Sequence, residues 1–288
     1  MECESEWNRC LPPVGLGTWV ERDSPEFDEE KMLEGVEYAL TNGYRLLDCS
    51  QYYPLEKQIG QLFQRLVGEG RVVRENLWLM GKGRPDSIDV TLEDFGVEYL
   101  DVYLWHHPPT RNFQELWRGW LTLAEQVKVG KVRHVGLSNL YAPVLERLVE
   151  RCIQEGVELP FALEIEIHYW CHERELVEYL HAHRIVPVAY SPLGYMYHDT
   201  VSSHDTLVRI SDEVGCNPHQ LALAWNIRRG VVVIPKSSNP EHLRMNLVAE
   251  EIADHLTDSQ FQELEKGSNQ GINIIECAAN AKEECQME

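Results

Sequence analysis

Four ionisable side chains, Asp48, Tyr53, Lys82 and His106, stand at or just beyond the ends of consecutive short apolar runs. Taken singly, each has an ordinary structural reading: a strand-end turn residue, a packed aromatic, a solvated loop charge, a satisfied core histidine. Brought to one place they make a general acid. A phenol with its ordinary pKa near ~10 is a poor proton donor to a carbonyl oxygen at neutral pH. An ammonium hydrogen-bonded to it favours phenolate and lowers that pKa, and a carboxylate holds the ammonium in place. Tyr53, Lys82 and Asp48 are the types this requires, and His106 would orient the carbonyl and donate a second hydrogen bond. Proton transfer from a positioned side chain is worth about 10²–10⁴ in rate. The accompanying hydride must come from a cofactor.

The elements that must position these groups alternate strictly. Apolar runs are read as strands at Pro13–Leu16, Arg45–Asp48, Leu77–Gly81, Leu100–Trp105, His134–Gly136, Phe161–Glu166, Val186–Tyr190 and Val231–Ile234. Helix periodicity follows each, over Glu29–Asn42, Leu55–Gly68, Ser87–Phe95, Phe113–Val129, Ala142–Glu155, Glu173–His183, Thr206–Arg229 with a break near Gly215–Pro218, and Pro240–Leu247. Eight such units imply a parallel sheet covered by helices and closed into a (β/α)₈ TIM barrel. A doubly wound sheet is the rival, but Gly15 and Gly17 precede Thr18-Trp19 and no G-x-G-x-x-G turn follows. The α/β reading is therefore one domain over 1–288, with a short N-terminal segment and a barrel core over about 13–250. Thr257 and Gln260 form a capping box opening a further helix to Lys266, and the polar tail from Gly267 is expected to fray or drape over the barrel. In a barrel the reactive groups sit at the C-terminal strand ends. Those ends also carry Thr18-Trp19, Ser138-Asn139, Glu166, His168, Tyr190 and Lys236-Ser237.

Composition narrows the partners. The formal charge is −21, from 47 acidic and 26 basic residues, which repels phosphate backbones and anionic membranes, so neither nucleic acid nor membrane is expected. No run of eighteen apolar residues is present, and Met1–Cys10 carries three glutamates and no apolar stretch, so no export leader is expected. The eight cysteines contain no C-x-x-C pair and read as reduced thiols in a cytoplasmic protein. His181, His183, His198 and His204 lack ligand spacing, and no metal is expected.

Five stretches, "GYRLLDCSQYY" at 43–53, "DVYLWHHP" at 101–108, "VGLSNL" at 135–140, "VAYSPLG" at 188–194 and "IPKSSNPEHLRMN" at 234–246, resemble the aldo-keto reductase family in sequence and order. The resemblance runs from Gly15-Leu16-Gly17-Thr18-Trp19 to Asn246. It implies a monomeric NADPH-dependent reductase of a small carbonyl substrate, cycling NADPH and NADP⁺, with Tyr53 as general acid and Asp48, Lys82 and His106 completing the tetrad. It implies further that Ser138 and Asn139 hold the nicotinamide carboxamide, that Tyr190 stacks on the ring, and that Ser191 and Leu193 line the pyrophosphate. Gly17 and Thr18 fall within the same cofactor site. Lys236 and Ser237 would take the 2′-phosphate, Asn246 would lie near adenine, and Trp19, Trp105 and His107 would border the substrate.

Three departures from the family pattern carry expectations. The segment after Lys82 is shorter by roughly two helical turns, which puts the placement of Lys82 in question and opens the pocket on that side. Glu164 stands where a glutamine is expected beside the carboxamide; if ionised it cannot donate a hydrogen bond, and its charge would favour the oxidised ring. His242 replaces a phosphate-clamping arginine, with Arg244 near. An imidazole is charged only as pH falls towards 6, so the preference for NADPH should sharpen at acid pH. The family's N-terminal hairpin is nearly absent. Two other functions remain open at this level: an NADPH-binding regulatory or redox-sensing barrel with little turnover, and a Schiff-base lyase using Lys82. The second leaves Tyr190 and Lys236-Ser237 without a role.

Overall fold

In the computed structural model, which describes residues 11–24, 27–195, 198–267 and 282–285, the strands run in the order of the chain. They are β1 (Leu16–Gly17), β2 (Leu46–Asp48), β3 (Trp78–Gly83), β4 (Leu100–Trp105), β5 (Val132–Ser138), β6 (Ala162–Glu166), β7 (Val186–Tyr190) and β8 (Val232–Val233). Every neighbouring pair is parallel. The ring closes where Val14 bridges Val233, with Gly15 N donating to Val233 O at 2.8 Å and Val233 N to Pro13 O at 2.9 Å. This is the eight-stranded barrel expected. At Gly17 a Cβ would lie 2.6 Å from the Ile234 carbonyl oxygen, so the seam closes only around a residue with no side chain.

Alternation along the strands divides the core in two. Leu46, Met80, Val102, Leu104, Ala162, Val186, Val188, Val232 and Ile234 fill the barrel, and Leu11 plugs its floor with Trp78 and Phe161. The floor is an aromatic stack, Trp78 over Phe161 at 6.2 Å and Phe161 against His134 at 4.1 Å between centroids. Intervening residues such as Leu47, Leu79, Tyr103 and Leu163 join the larger cluster beneath the helices. Fully burying each such side chain is worth about 1.5–3 kcal/mol.

The helices are α1 (Glu29–Thr41), α2 (Glu56–Gly68), α3 (Ile88–Phe95), α4 (Phe113–Lys128), α5 (Val144–Glu155), α6 (Arg174–Ala182), α7 (His198–Val201), α8 (Asp205–Val214), α9 (Pro218–Arg228), α10 (Pro240–Leu247), α11 (Ala249–His255) and α12 (Asp258–Glu265). Caps set their ends. Asp28 accepts from Lys31 N, Asn112 from Glu115 N, and Thr257 forms the capping box read from the sequence. The break expected near Gly215–Pro218 in the helical region 206–229 divides it into α8 and α9, since Gly215 takes φ 81° and Asn217 with Gln220 starts α9. Two helices lie outside the expected set, the short α7 and α11, which continues from α10 through Val248 in helical conformation and buries Ala249, Ile252 and Ala253. No breaker residue announces the division. Among the described residues no helix is long and apolar enough to cross a membrane.

Helix α2 crosses α3 at Gly60, where a Cβ would sit 2.1 Å from the Asp94 carbonyl oxygen and 2.7 Å from its carbon. Both atoms are backbone, so Gly60→Ala must push α2 off α3. The expected cost is about 1–3 kcal/mol, read as a lower urea midpoint at unchanged slope. A variant as stable as the parent would show that the crossing relaxes freely.

Candidate active site

Asp48, Lys82 and Glu164 meet inside the barrel, where β2, β3 and β6 present them at the same alternating positions as the core residues below. Lys82 Nζ lies 2.6 Å from both Asp48 oxygens and 2.8 Å from Glu164 Oε1. All three residues are buried, at 2 %, 0 % and 1 % exposure. Burial alone would lower the Lys82 pKa, but the charges of Asp48 and Glu164 outweigh it and hold the ammonium well above its ordinary value. The Asp48 carboxyl is held above the usual carboxylate range by burial first and by Glu164 second, with Lys82 pulling the other way.

The shortened segment after Lys82 does not displace it. Residues 84–87 are rebuilt as a tight turn in which Ser87 Oγ accepts from Arg84 N and Gln51 Nε2 at 3.0 and 2.7 Å, and the Tyr103 hydroxyl donates to Arg84 O at 3.1 Å. On that side a shallow cavity of about 380 Å³ is lined by Gln51, Tyr52, Arg84, Asp86, Ser87 and Val90.

Tyr53 stands over this charged cluster, its ring centroid 5.0 Å from Lys82 Nζ and edge-on to His106 at 5.7 Å. The acidified phenol expected from the sequence is not what the geometry gives. Burial raises the Tyr53 pKa, and the Lys82 charge, opposed by Asp48 and Glu164, does not reverse it. The physical reason is burial first; the pull of Lys82, by charge and by hydrogen bond, is too weak to offset it beside the two carboxyl groups that share its ammonium.

His106 is buried, and its pKa is pushed well below the ordinary value by burial, then by Lys82 and His107. The ring is therefore neutral. Its Nδ1 lies 2.9 Å from Ser50 Oγ, which is also 3.2 Å from Lys82 O. When the single Ser50 proton goes to Nδ1, the imidazole carries its own on Nε2 and can donate to a carbonyl. Tyr52 and His107 sandwich the ring at 5.5 and 4.3 Å.

Ser138, Asn139 and Tyr190 form a second cluster at the ends of β5 and β7. Asn139 Nδ2 donates to His106 O and Ser138 Oγ, each at 3.2 Å, and the Tyr190 hydroxyl donates to Asn139 Oδ1 at 2.8 Å. Asn139 and Ser191 take φ of 58° and 48°, left-handed conformations that turn the chain sharply at each strand end. Thr18 Oγ1 donates to Asp48 O at 2.7 Å, so Thr18 braces β1 against β2 with its hydroxyl committed. Leu193 is half-buried in the following loop. Lys236, Ser237, His242 and Arg244 surround the start of α10, where Ser237 Oγ accepts from Asn239 N at 3.1 Å. Lys236, His242 and Arg244 are exposed there, while Asn246 is buried one turn further on.

Trp19 belongs at the mouth: it is 41 % exposed and meets Tyr195 edge-on at 5.6 Å. Exposed His107 lies 3.4 Å from Asn139 Nδ2. Trp105 does not join them. It is buried against α4, so close that a Cβ on Gly119 would lie 2.2 Å from its ring. Because His106 points inward, the residue before it must point out. Glu166 and His168 are also buried, paired at 3.0 Å, with His168 Nδ1 accepting from Trp170 N.

Four contributors escaped the sequence reading. Ser50 and Tyr52 sit within the quoted motif, where a polar residue two after Asp48 was the available signal. Tyr195 follows a stretch already singled out. A helical turn at 282–285 brings Glu284 to Thr110 at 2.5 Å and Arg111 at 3.3 Å, Lys282 to Glu173 at 2.5 Å, and Cys285 Sγ to Tyr141 N at 3.4 Å. That part of the tail is draped over the loops after β4, β5 and β6, as one of the two expectations had it; no sequence signal fixed the place.

The sequence profile of the Aldo/keto reductase family matches residues 13–269. The chain belongs to the aldo/keto reductase family. Its relatives in that family include the aldo/keto reductase slr0942 of Synechocystis, 33 % identical over 88 % of this chain and 84 % of that protein. The aldose reductase of Encephalitozoon cuniculi is 31 % identical over 84 % and 86 %. The NADPH-dependent D-xylose reductase of Meyerozyma guilliermondii is 28 % identical over 89 % and 90 %. Among solved structures, the aldo-keto reductase AKR2E5 of the silkworm, Bombyx mori, complexed with NADPH superimposes with a TM-score of 0.81 at 28 % identity, over 92 % of this chain and 86 % of that one. As an aldo/keto reductase the chain is an oxidoreductase by family.

Proposed function

We propose that this aldo/keto reductase reduces an aldehyde or ketone to the alcohol with NADPH, Tyr53 delivering the proton. The observation that carries the reading is the convergence of Asp48, Tyr53, Lys82 and His106 at one barrel mouth beside Asn139 and Tyr190. When bound, the cofactor supplies the hydride. The residues fit such a group: Tyr190 is half-buried with its hydroxyl anchored on Asn139, and Glu164 Oε2 is a buried oxygen without a hydrogen-bond partner. Ser138, Asn139 and Tyr190 would hold the nicotinamide, Ser191 and Leu193 the pyrophosphate, and Lys236, Ser237, His242 and Arg244 the 2′-phosphate.

The neutral His106 ring orients the carbonyl, Tyr53 donates to its oxygen, and Lys82 stabilises the phenolate left behind. Trp19, Tyr52 and Tyr195, at 41 %, 54 % and 37 % exposure, form an aromatic rim for a substrate with an apolar face. Loss of absorbance at 340 nm with NADPH and a panel of aldehydes tests the reading. The commitment of Lys82 to two carboxylates favours a second one, a cofactor-binding barrel with little turnover. Tight NADPH binding without loss of absorbance would establish that reading and overturn the first.

Lys236 gives a separate check on the cofactor. A hydrogen bond to a charged group contributes about 1.5–3 kcal/mol, so Lys236→Ala should weaken NADPH binding by about tenfold or more and leave NADH binding unchanged. Equal losses for both, measured by fluorescence titration, would remove the 2′-phosphate role.

A further inference from the structure

We propose that Glu164 makes the barrel mouth discriminate between the two redox states of the nicotinamide. The second buried carboxylate on Lys82 leaves one negative charge in excess, and that charge favours the oxidised, cationic ring over the reduced, neutral one. The inference rests on the nicotinamide reading above and deepens it.

The geometry is specific. Lys82 is the ammonium shared by Asp48 and Glu164, at 2.6 and 2.8 Å. No other cation among the described residues is within ion-pair distance of either carboxylate. One ammonium and two carboxyl groups are thus enclosed at 0–2 % side-chain exposure, and one negative charge is in excess once Asp48 gives up its proton. Glu164 Oε1 is satisfied by Lys82, whereas Oε2 is buried and has no hydrogen-bond partner. An unpaired carboxylate oxygen out of water is costly, so it calls for a proton, a donor or a compensating positive charge. A glutamine at this position could still accept from Lys82 through its amide oxygen, and the three buried groups would then sum to zero. What the carboxylate adds is charge.

Glu164 pairs in register with Ser138 on β5 and Val188 on β7, the strands that end in Asn139 and Tyr190. The titratable groups facing it are Asp48 from β2, Tyr53 from the turn after β2 and Lys82 from β3. His106 after β4 and Tyr190 on β7 complete the ring of strand ends. Glu166, next inward on its own strand, is tied to His168. Of these, Asp48 responds most directly: its proton is held partly by the charge of Glu164. Raising the pH removes the proton from Asp48 and brings out the excess charge. A carboxamide N–H bonded to Oε2 would serve both redox states alike; only charge separates them.

The test is fluorescence titration of the wild type and Glu164→Gln with NADP⁺ and with NADPH, at pH 6 and pH 8. The 2′-phosphate is common to both cofactors and cancels in their ratio. The expected result is a wild-type preference for NADP⁺ over NADPH that exceeds the variant's by about tenfold at pH 8. In the wild type alone, that preference should grow from pH 6 to pH 8. Equal losses for the two cofactors in the variant would overturn the proposal and leave Glu164 a hydrogen-bond acceptor. A wild-type ratio that does not move with pH would overturn it without the variant. Failure of the wild type to bind either cofactor would overturn the nicotinamide reading itself, and this inference with it.

Discussion

Tyr53→Phe should lower carbonyl reduction at least ~10²-fold, the lower range for removal of a general acid, with NADPH affinity nearly unchanged. The substitution keeps the ring that lies 5.0 Å from Lys82 Nζ and edge-on to His106, so only the hydroxyl is lost. Steady-state rates beside a binding titration separate the two effects. Near-native turnover would transfer the proton donation elsewhere, with His106 as the remaining candidate. The raised Tyr53 pKa adds a sign to the expectation: the phenol stays protonated through the neutral range, so the rate should not fall with pH on account of Tyr53 ionising.

Lys82→Met should be the most destabilising single change in the site, by about 3–5 kcal/mol, the range for breaking a buried pair from one side. Methionine fills similar volume, but Asp48 and Glu164 are then buried together with no cation. The folded-state pKa of Asp48, already raised by burial and by Glu164, would rise further once the opposing pull of Lys82 is gone. A group raised in this way binds its proton more tightly when folded, so stability falls as pH rises through the unfolded value and continues falling up to the folded one. The variant should therefore gain stability on acidification from pH 8 towards pH 5 relative to the wild type. Urea midpoints at the two pH values check this. A variant as stable as the wild type at pH 8 would mean that water or a proton already compensates the carboxylates.

The barrel was legible because each unit states its own kind locally: a short apolar run, a turn, then a stripe of apolar residues at helical spacing. The convergence of Asp48, Lys82 and His106 followed from the fold, since a parallel barrel carries every strand end to one rim. Trp105 departs from the substrate-bordering place the resemblance implies because of alternation: Val102, Leu104 and His106 point inward, which sends Tyr103 and Trp105 to the helices. The Lys82–Glu164 contact spans 82 positions in sequence and depends on which strands face each other across the barrel. No local pattern encodes that distance. The same holds for the turn at 282–285, whose anchors, Thr110, Arg111, Tyr141 and Glu173, are scattered over three loops.

The seam between β1 and β8 also bears on how the protein comes into being. The first strand leaves the ribosome with its edge unpaired, and the backbone groups that satisfy it, Val233 O and Pro235 O, belong to residues made more than two hundred positions later. Until then Pro13–Gly17 has no partner on that side, and the long-range pairing that completes the ring is of the slow kind. A nascent chain halted before Val232 already contains Asp48, Tyr53, Lys82, His106 and Glu164, yet it lacks the last strand that closes the ring around them. Synthesis thus gives no graded approach to competence. The chain is an unfinished hoop exposing a sheet edge, a state prone to self-association, until its last strand arrives.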